Sequence, residues 1–218
     1  MKSASQEKNE VKIPSGKATI NGNLEVPEDA KGIVLFAHGS GSSRFRPRNT
    51  YVAGLMNKKG LATLLIDLLT AEEESVDEYT GQYRFDVNML AERLIDATQW
   101  LKTSPQTKKL SVGYFVASTG AAAALIAAAK LPEDIKAVVS RGGRPDLAGE
   151  HLNKVKASTL LIVGGDDTEV LELNRGALKL IRSEKKLEIV PGATHLFEEP
   201  GKLEEAAALA IDWFIKHL

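Results

Sequence analysis

The chain reads as an α/β protein built on a mostly parallel, doubly wound sheet with helices on both faces. Three observations lead there. The apolar run at residues 33–37 is continuous rather than alternating, as expected of a strand buried on both faces, and further strands rich in apolar residues recur at 62–66, 110–116, 135–139 and 159–163. The segments between them carry apolar residues at helical spacing. The two signals alternate along the chain, and right-handed crossovers between parallel strands then place helices on both sides of one sheet.

The elements follow in order. Residues 11–13 and 18–26 have strand character, with Asn21, Gly22 and Asn23 as a turn or bulge. After the first buried strand at 33–37, residues 51–59 look helical, and 62–66 is the next strand. Val87, Leu90, Leu94, Ala97 and Leu101 share one face of an amphipathic helix over 84–103. Residues 69–83, rich in Glu and Asp, read as an acidic loop. A strand at 110–116 leads into a helix at 119–130 that is apolar nearly all round, which predicts a central, buried helix. Strands at 135–139, 159–163 and 187–190 alternate with a helix at 170–182. A last amphipathic helix over 202–218 aligns Leu203, Ala207, Ala210, Ile211, Phe214 and Leu218. Residues 1–10 are expected to be a flexible N-terminus and residues 11–218 one domain.

Bulk composition narrows the function. Hydrophobic residues make up 43% and charged residues 26%, as in ordinary globular proteins. Lys and Arg number 28 against 29 Asp and Glu, a formal charge of −1, so no net field draws the chain to nucleic acid or to an anionic membrane. A small-molecule partner is the expectation. There is no cysteine, which excludes disulfides, thiolate metal sites and a cysteine nucleophile. No residue cluster has the ligand count of a structural zinc site, and no cofactor is expected. The polar first ten residues lack the apolar core of a signal peptide, and no apolar run is long enough to span a bilayer, so a cytoplasmic location is expected.

In a doubly wound sheet, reactive groups gather at the carboxyl ends of the strands. Four loops meet that condition. His38-Gly39-Ser40-Gly41-Ser42-Ser43 follows the 33–37 strand, and its glycines would let backbone N–H groups approach a developing oxyanion; the alternative is a tight turn. Ser118 stands between an apolar strand and a small-residue helix, the layout of a nucleophile elbow, in which a sharp turn lifts the hydroxyl above the sheet. The competing role is a helix N-cap. The usual elbow has glycine two residues before and two after the serine. Gly120 fits, but Val116 does not, and its extra methyl groups predict overpacking of about 1–3 kcal/mol. Asp166 and Asp167 follow the 159–163 strand and could orient a histidine or cap the next helix. His195 follows the last strand. The order serine, acid, histidine, each after a strand, is that of a hydrolase triad.

Taken together, His38-Gly39-Ser40-Gly41-Ser42-Ser43 with Pro47-Arg48-Asn49, Ala117-Ser118-Thr119-Gly120-Ala121, Leu161-Ile162-Val163-Gly164-Gly165 with Asp167, and Pro191-Gly192-Ala193-Thr194-His195 resemble the single-domain α/β-hydrolases of the dienelactone hydrolase-like family. The resemblance runs from about residue 32 to the C-terminus. It implies an α/β-hydrolase fold without a large cap domain. It also implies Ser118 as nucleophile, His195 as base, and Asp167 rather than Asp166 as acid. The backbone N–H groups of Ser40 and Thr119 would be the oxyanion donors. Named dienelactone hydrolases use a cysteine nucleophile, so their particular lactone opening is not implied for this chain.

The expected activity is that of a serine esterase cleaving small carboxylic esters through an acyl-enzyme. A thioesterase or acyltransferase on the same triad, and a catalytically impaired binding scaffold, are the alternatives. Arg44, Arg141 and Arg144 follow strand ends or the first loop and are candidates for holding an acidic substrate group. Their other reading is solvated or salt-bridged surface arginines. Asp146 is a fallback acid.

Overall fold

The computed structural model describes residues 10–37 and 44–218. The chain order is β1 (Glu10–Ser15), β2 (Ala18–Glu25), β3 (Gly32–Ala37), α1 (Pro47–Lys58), β4 (Leu61–Ile66), α2 (Ala71–Thr80), α3 (Val87–Thr103), β5 (Ser111–Ser118), α4 (Gly120–Lys130), β6 (Ile135–Gly143), a kinked 3₁₀ segment (Pro145–Lys154), β7 (Ser158–Gly164), α5 (Thr168–Leu180), β8 (Lys185–Val190) and α6 (Lys202–His217). The strands form one eight-stranded sheet in the order β1-β2-β4-β3-β5-β6-β7-β8. β1 and β2 join it antiparallel, and the remaining strands run parallel. Jumps across β3, β4 and β5 require crossovers, and these carry the helices to both faces. The fold class expected from the sequence is the one observed, and the described residues contain no cap domain.

The two faces have separate apolar clusters. On one, α1 and α6 cover the sheet through Val52, Met56, Ala207, Ala210 and Phe214, packed on Val34, Phe36, Phe115 and Val139. On the other, α3, α4 and α5 lie over Leu35, Leu64, Tyr114, Val116 and Val138. β3 and β4 are buried at every position, which is why their sequences are apolar without alternation. Helix α4 is buried from Gly120 to Ala128, as its all-round apolar sequence predicts. The hydroxyl of the fully buried Tyr114 finds Thr98 Oγ1 at 2.6 Å, tying β5 to α3.

Four local expectations are corrected. Asn21, Gly22 and Asn23 do not turn; they pair in register with Lys12, Val11 and Glu10 inside β2. The hairpin turn is made by Gly16, whose φ of 56° suits glycine. Gly22 is needed for space instead, since a Cβ there would lie 3.0 Å from Leu64 Cδ1. The acidic stretch after Leu69 is not a loop but contains helix α2. Thr70 caps it through a reciprocal capping box with Glu73, and Gly81 ends it at φ 67°. Helix α1 starts at Pro47, earlier than its apolar periodicity suggests, because proline suits the first helical turn. Glu10, expected to be flexible, is the first residue of β1.

Candidate active site

Ser118 closes β5 and has φ 52°. A non-glycine residue in this left-handed region costs on the order of 1–3 kcal/mol and persists only where its surroundings hold it. Here the hold is visible. The Arg144 N–H donates to the Ser118 carbonyl at 2.9 Å, and the pairing of β5 with β6 shifts register between Ala117 and Ser118. The turn between strand and helix is therefore sharp, as an elbow requires. Thr119, not Ser118, is the N-cap residue of α4, and it makes no side-chain cap bond. The serine is thus not spent on helix capping. The Thr119 N–H belongs to the first turn of α4, where N–H groups lack intrahelical acceptors and point outward with the positive end of the helix dipole.

Val116 fits. It is 1% exposed and shares the buried cluster with Ala121, Ala122, Ala123 and Ala124 of α4. Close packing is met elsewhere, at Gly143: a Cβ there would sit 2.5 Å from Ala121 Cβ. Asn174 of α5, which no sequence motif marks, is fully buried and donates from Nδ2 to the Gly143 carbonyl at 3.0 Å. Its signal in the sequence is only an asparagine on the inward face of an amphipathic helix.

The acid and histidine loops are zipped together by backbone. Gly165 N–H donates to Val190 O at 2.8 Å and Asp166 N–H to Ala193 O at 3.0 Å. The approach is close enough that a Cβ on Gly164 would run into the Ala193 carbonyl. This brings Asp167 Oδ2 to 2.7 Å from His195 Nδ1. Asp166 makes no such contact; its part is the backbone bond. Asp167 sits at the N-cap of α5 without a side-chain cap bond, so its carboxylate serves the imidazole and not the helix. The Asp167 side chain is 15% exposed and that of His195 44%, so the imidazole is open to a ligand while its partner is sheltered. Glu199 steadies the same loop by accepting from the Thr194 N–H and hydroxyl, and the hydroxyl is the main cause that holds the Glu199 carboxyl below the ordinary range.

β6 links the two halves. Gly143 pairs with Ser118, and a Cβ on the preceding Gly142 would lie 3.0 Å from His195 O and 3.7 Å from His195 Cε1. Serine, histidine and aspartate therefore share one rim of the sheet, at the carboxyl ends of β5 and β7 and just after β8. The expected oxyanion donor Ser40 lies outside the described residues. Among the described residues no group of three or more His, Asp or Glu side chains is arranged to hold a metal ion.

The three candidate arginines differ. Arg44 donates to Asn23 Oδ1 at 2.7 Å and pairs with Asp67 and Glu10. Arg144 makes a two-pronged pair with Asp146 at 2.9 and 2.8 Å. These pairings are those of the salt-bridged reading of the two arginines, and they engage the fallback acid Asp146. Arg141 is buried on β6 with its guanidinium 5.6 Å from the Phe197 ring centroid.

Comparison with known proteins decides the family. Its model for the dienelactone hydrolase family matches residues 20–217. The chain belongs to the dienelactone hydrolase family. A crystal structure of dienelactone hydrolase from Anabaena variabilis is 57% identical, covers 96% of this chain and 97% of its own, and superposes with a TM-score of 0.94. Est1E from Butyrivibrio proteoclasticus shares the fold at 15% identity, with a TM-score of 0.79 over 95% of this chain and 98% of its own. A Mycobacterium tuberculosis protein named "Putative phosphoribosyl transferase" is 58% identical over 209 residues, which is 96% of this chain and 46% of that protein. The chain thus spans about half the length of the curated relatives it matches. Family and fold together mark it as a hydrolase of the α/β type. Among the described residues no helix is long and apolar enough to cross a membrane.

Proposed function

We propose that this dienelactone hydrolase family member is a serine hydrolase that cleaves small carboxylic esters, with Ser118 as nucleophile, His195 as base and Asp167 as the acid that orients it. The observation that carries the reading is the 2.7 Å Asp167–His195 bond on the same rim as a serine held at φ 52°. His195 takes the Ser118 proton through Nε2 as the hydroxyl attacks the acyl carbon. The Asp167 carboxylate fixes the Nδ1–H tautomer and stabilises the imidazolium. The Thr119 N–H and the positive end of α4 face the oxyanion, with the Ser40 N–H as second donor. His195 then protonates the leaving alcohol, and the acyl-enzyme is released by water. The partner is accordingly a small-molecule ester, not nucleic acid or membrane, and the site of action is the cytoplasm.

The test is hydrolysis of a panel of esters, thioesters and lactones by wild type and Ser118→Ala. The reading expects ester turnover that falls by about a thousandfold or more in the variant. Preference for thioesters, or transfer to added alcohols over water, would move the assignment to the related acyl-transfer chemistry. Ester turnover unaffected by Ser118→Ala would refute the role of the serine. The name of the mycobacterial relatives suggests another chemistry, phosphoribosyl transfer. The strained serine and the carboxylate–imidazole pair are features of acyl transfer and favour hydrolysis for this chain. No consumption of an activated phosphoribosyl donor is expected from this chain.

A further inference from the structure

Arg141 lies on β6 beside the elbow, its Cα paired with that of Ala117, one residue before Ser118. It is only 7% exposed, and its Nε is fully buried without a hydrogen-bond partner. Among the described residues none of its nitrogens has a hydrogen-bond acceptor and no carboxylate pairs with it. The acids of this rim are committed elsewhere: Asp167 to His195, Asp146 to Arg144, Glu198 to Arg48, and Glu199 to Thr194. The neighbours that Arg141 does have are the Phe197 ring, two residues after His195, and a second cation, Arg48. Burial first, and Arg48 second, push the guanidinium down to about 10, which still leaves it charged at neutral pH. The ring offers partial compensation. A buried, charged, unpaired guanidinium is otherwise unfavourable, and a purely structural arginine would be expected to have a partner.

We propose that Arg141 is a specificity-determining residue that binds an oxyanion group, a carboxylate or a phosphate, carried by the ester substrate. The planar guanidinium matches either group through two parallel hydrogen bonds, and binding would supply the counter-charge that folding omits. The site lies between the serine strand and the histidine loop, where a group on the substrate would be held close to the reacting carbonyl. The proposal rests on the ester hydrolase reading above.

The test compares matched esters in wild type and Arg141→Met. Monomethyl succinate is set against methyl succinamate for an anion on the acyl side, and 4-acetoxybenzoate against 4-acetoxybenzamide for one on the alcohol side. A phosphonate analogue is added to each pair. Wild type is expected to favour the anionic member of at least one series by about tenfold or more in kcat/KM, and Arg141→Met to bring that ratio to about one. The larger ratio tells carboxylate from phosphate. A wild-type ratio near one in every series, or a ratio that survives the substitution, overturns the proposal. Melting provides an independent reading that does not need turnover. Inorganic phosphate or succinate should raise the wild-type Tm relative to chloride at equal ionic strength, and should not raise that of Arg141→Met. Without anion, Arg141→Met should melt about 2–4 °C higher than wild type, since it removes a charge that folding leaves unpaired. A variant that melts lower or fails to fold, or a wild-type Tm indifferent to both anions, contradicts an anion-binding role. If esters are not cleaved but the anion-dependent melting shift is present and lost in the variant, the hydrolase reading fails and the anion site stands.

Discussion

Ser118 carries two signals of different kinds, a sequence position between strand and helix and a backbone angle that a valine-to-serine strand would not adopt without reason. The first is legible in the chain; the second is a property of the folded backbone. The same holds for the choice between adjacent aspartates. Both follow β7, and only the geometry assigns Asp167 to the imidazole and Asp166 to the backbone zipper. Asp167→Asn should therefore lower kcat by about ten-thousandfold by favouring the wrong imidazole tautomer, while Asp166→Asn should stay within a few-fold, as ester kinetics will show. Val116 is the residue at which sequence reasoning expected strain. Its burial in the apolar cluster argues the reverse: Val116→Gly should destabilise the fold by about 2–4 kcal/mol in urea unfolding, through lost burial and added backbone freedom. A neutral or stabilising outcome would show the valine to be a misfit after all. The arginines were illegible for a clear reason. Whether Arg44 or Arg141 is paired depends on Asn23, Asp67 and Phe197, whose nearness is created by the sheet and not by the local sequence.

The buried strands, and α3, α4 and α6, were legible because their periods or continuous apolar runs record burial directly. Helix α2 was not, because its sequence, AEEESVDEYT, has no apolar face to give a period. Its capping box, Thr70 with Glu73, was the available clue. What fixes α2 is polar. Arg93 donates to both carboxylate oxygens of Glu73 at 2.6 Å, and Asp77 accepts from the Tyr83 and Arg84 N–H groups at 2.8 and 2.9 Å and from the Arg84 guanidinium. Burial alone would raise the Asp77 carboxyl; its bonds to Arg84 and the Tyr83 N–H outweigh that and hold it below the ordinary range. A carboxyl depressed in the folded state contributes stability above its unfolded value and loses it as pH falls through the folded one. Limited proteolysis should thus find the segment from α2 to the start of α3 opening below about pH 4, ahead of the sheet. Asp77→Asn should open it already at neutral pH, and equal protection in both proteins would contradict this anchoring.

At the scale of the molecule, one twisted sheet sets the chemistry by collecting the ends of β5, β6 and β7 and the turn after β8 at a single rim. The alternation of strands and helices makes that architecture legible in the sequence, and the order of Ser118, Asp167 and His195, each after a strand, makes the rim legible with it. We expect an open site at this rim, one that favours short acyl groups. kcat/KM for esters should fall from acetate and butyrate to decanoate; a rise with chain length would contradict an open site. The most direct test of the account is covalent. A fluorophosphonate probe that requires an activated serine should label the native chain once, with the adduct located on Ser118 by peptide mass, and labelling should vanish in Ser118→Ala and fall sharply in His195→Gln. No labelling of the folded protein, or an adduct on another residue that persists in Ser118→Ala, would contradict the claim that this serine is the nucleophile.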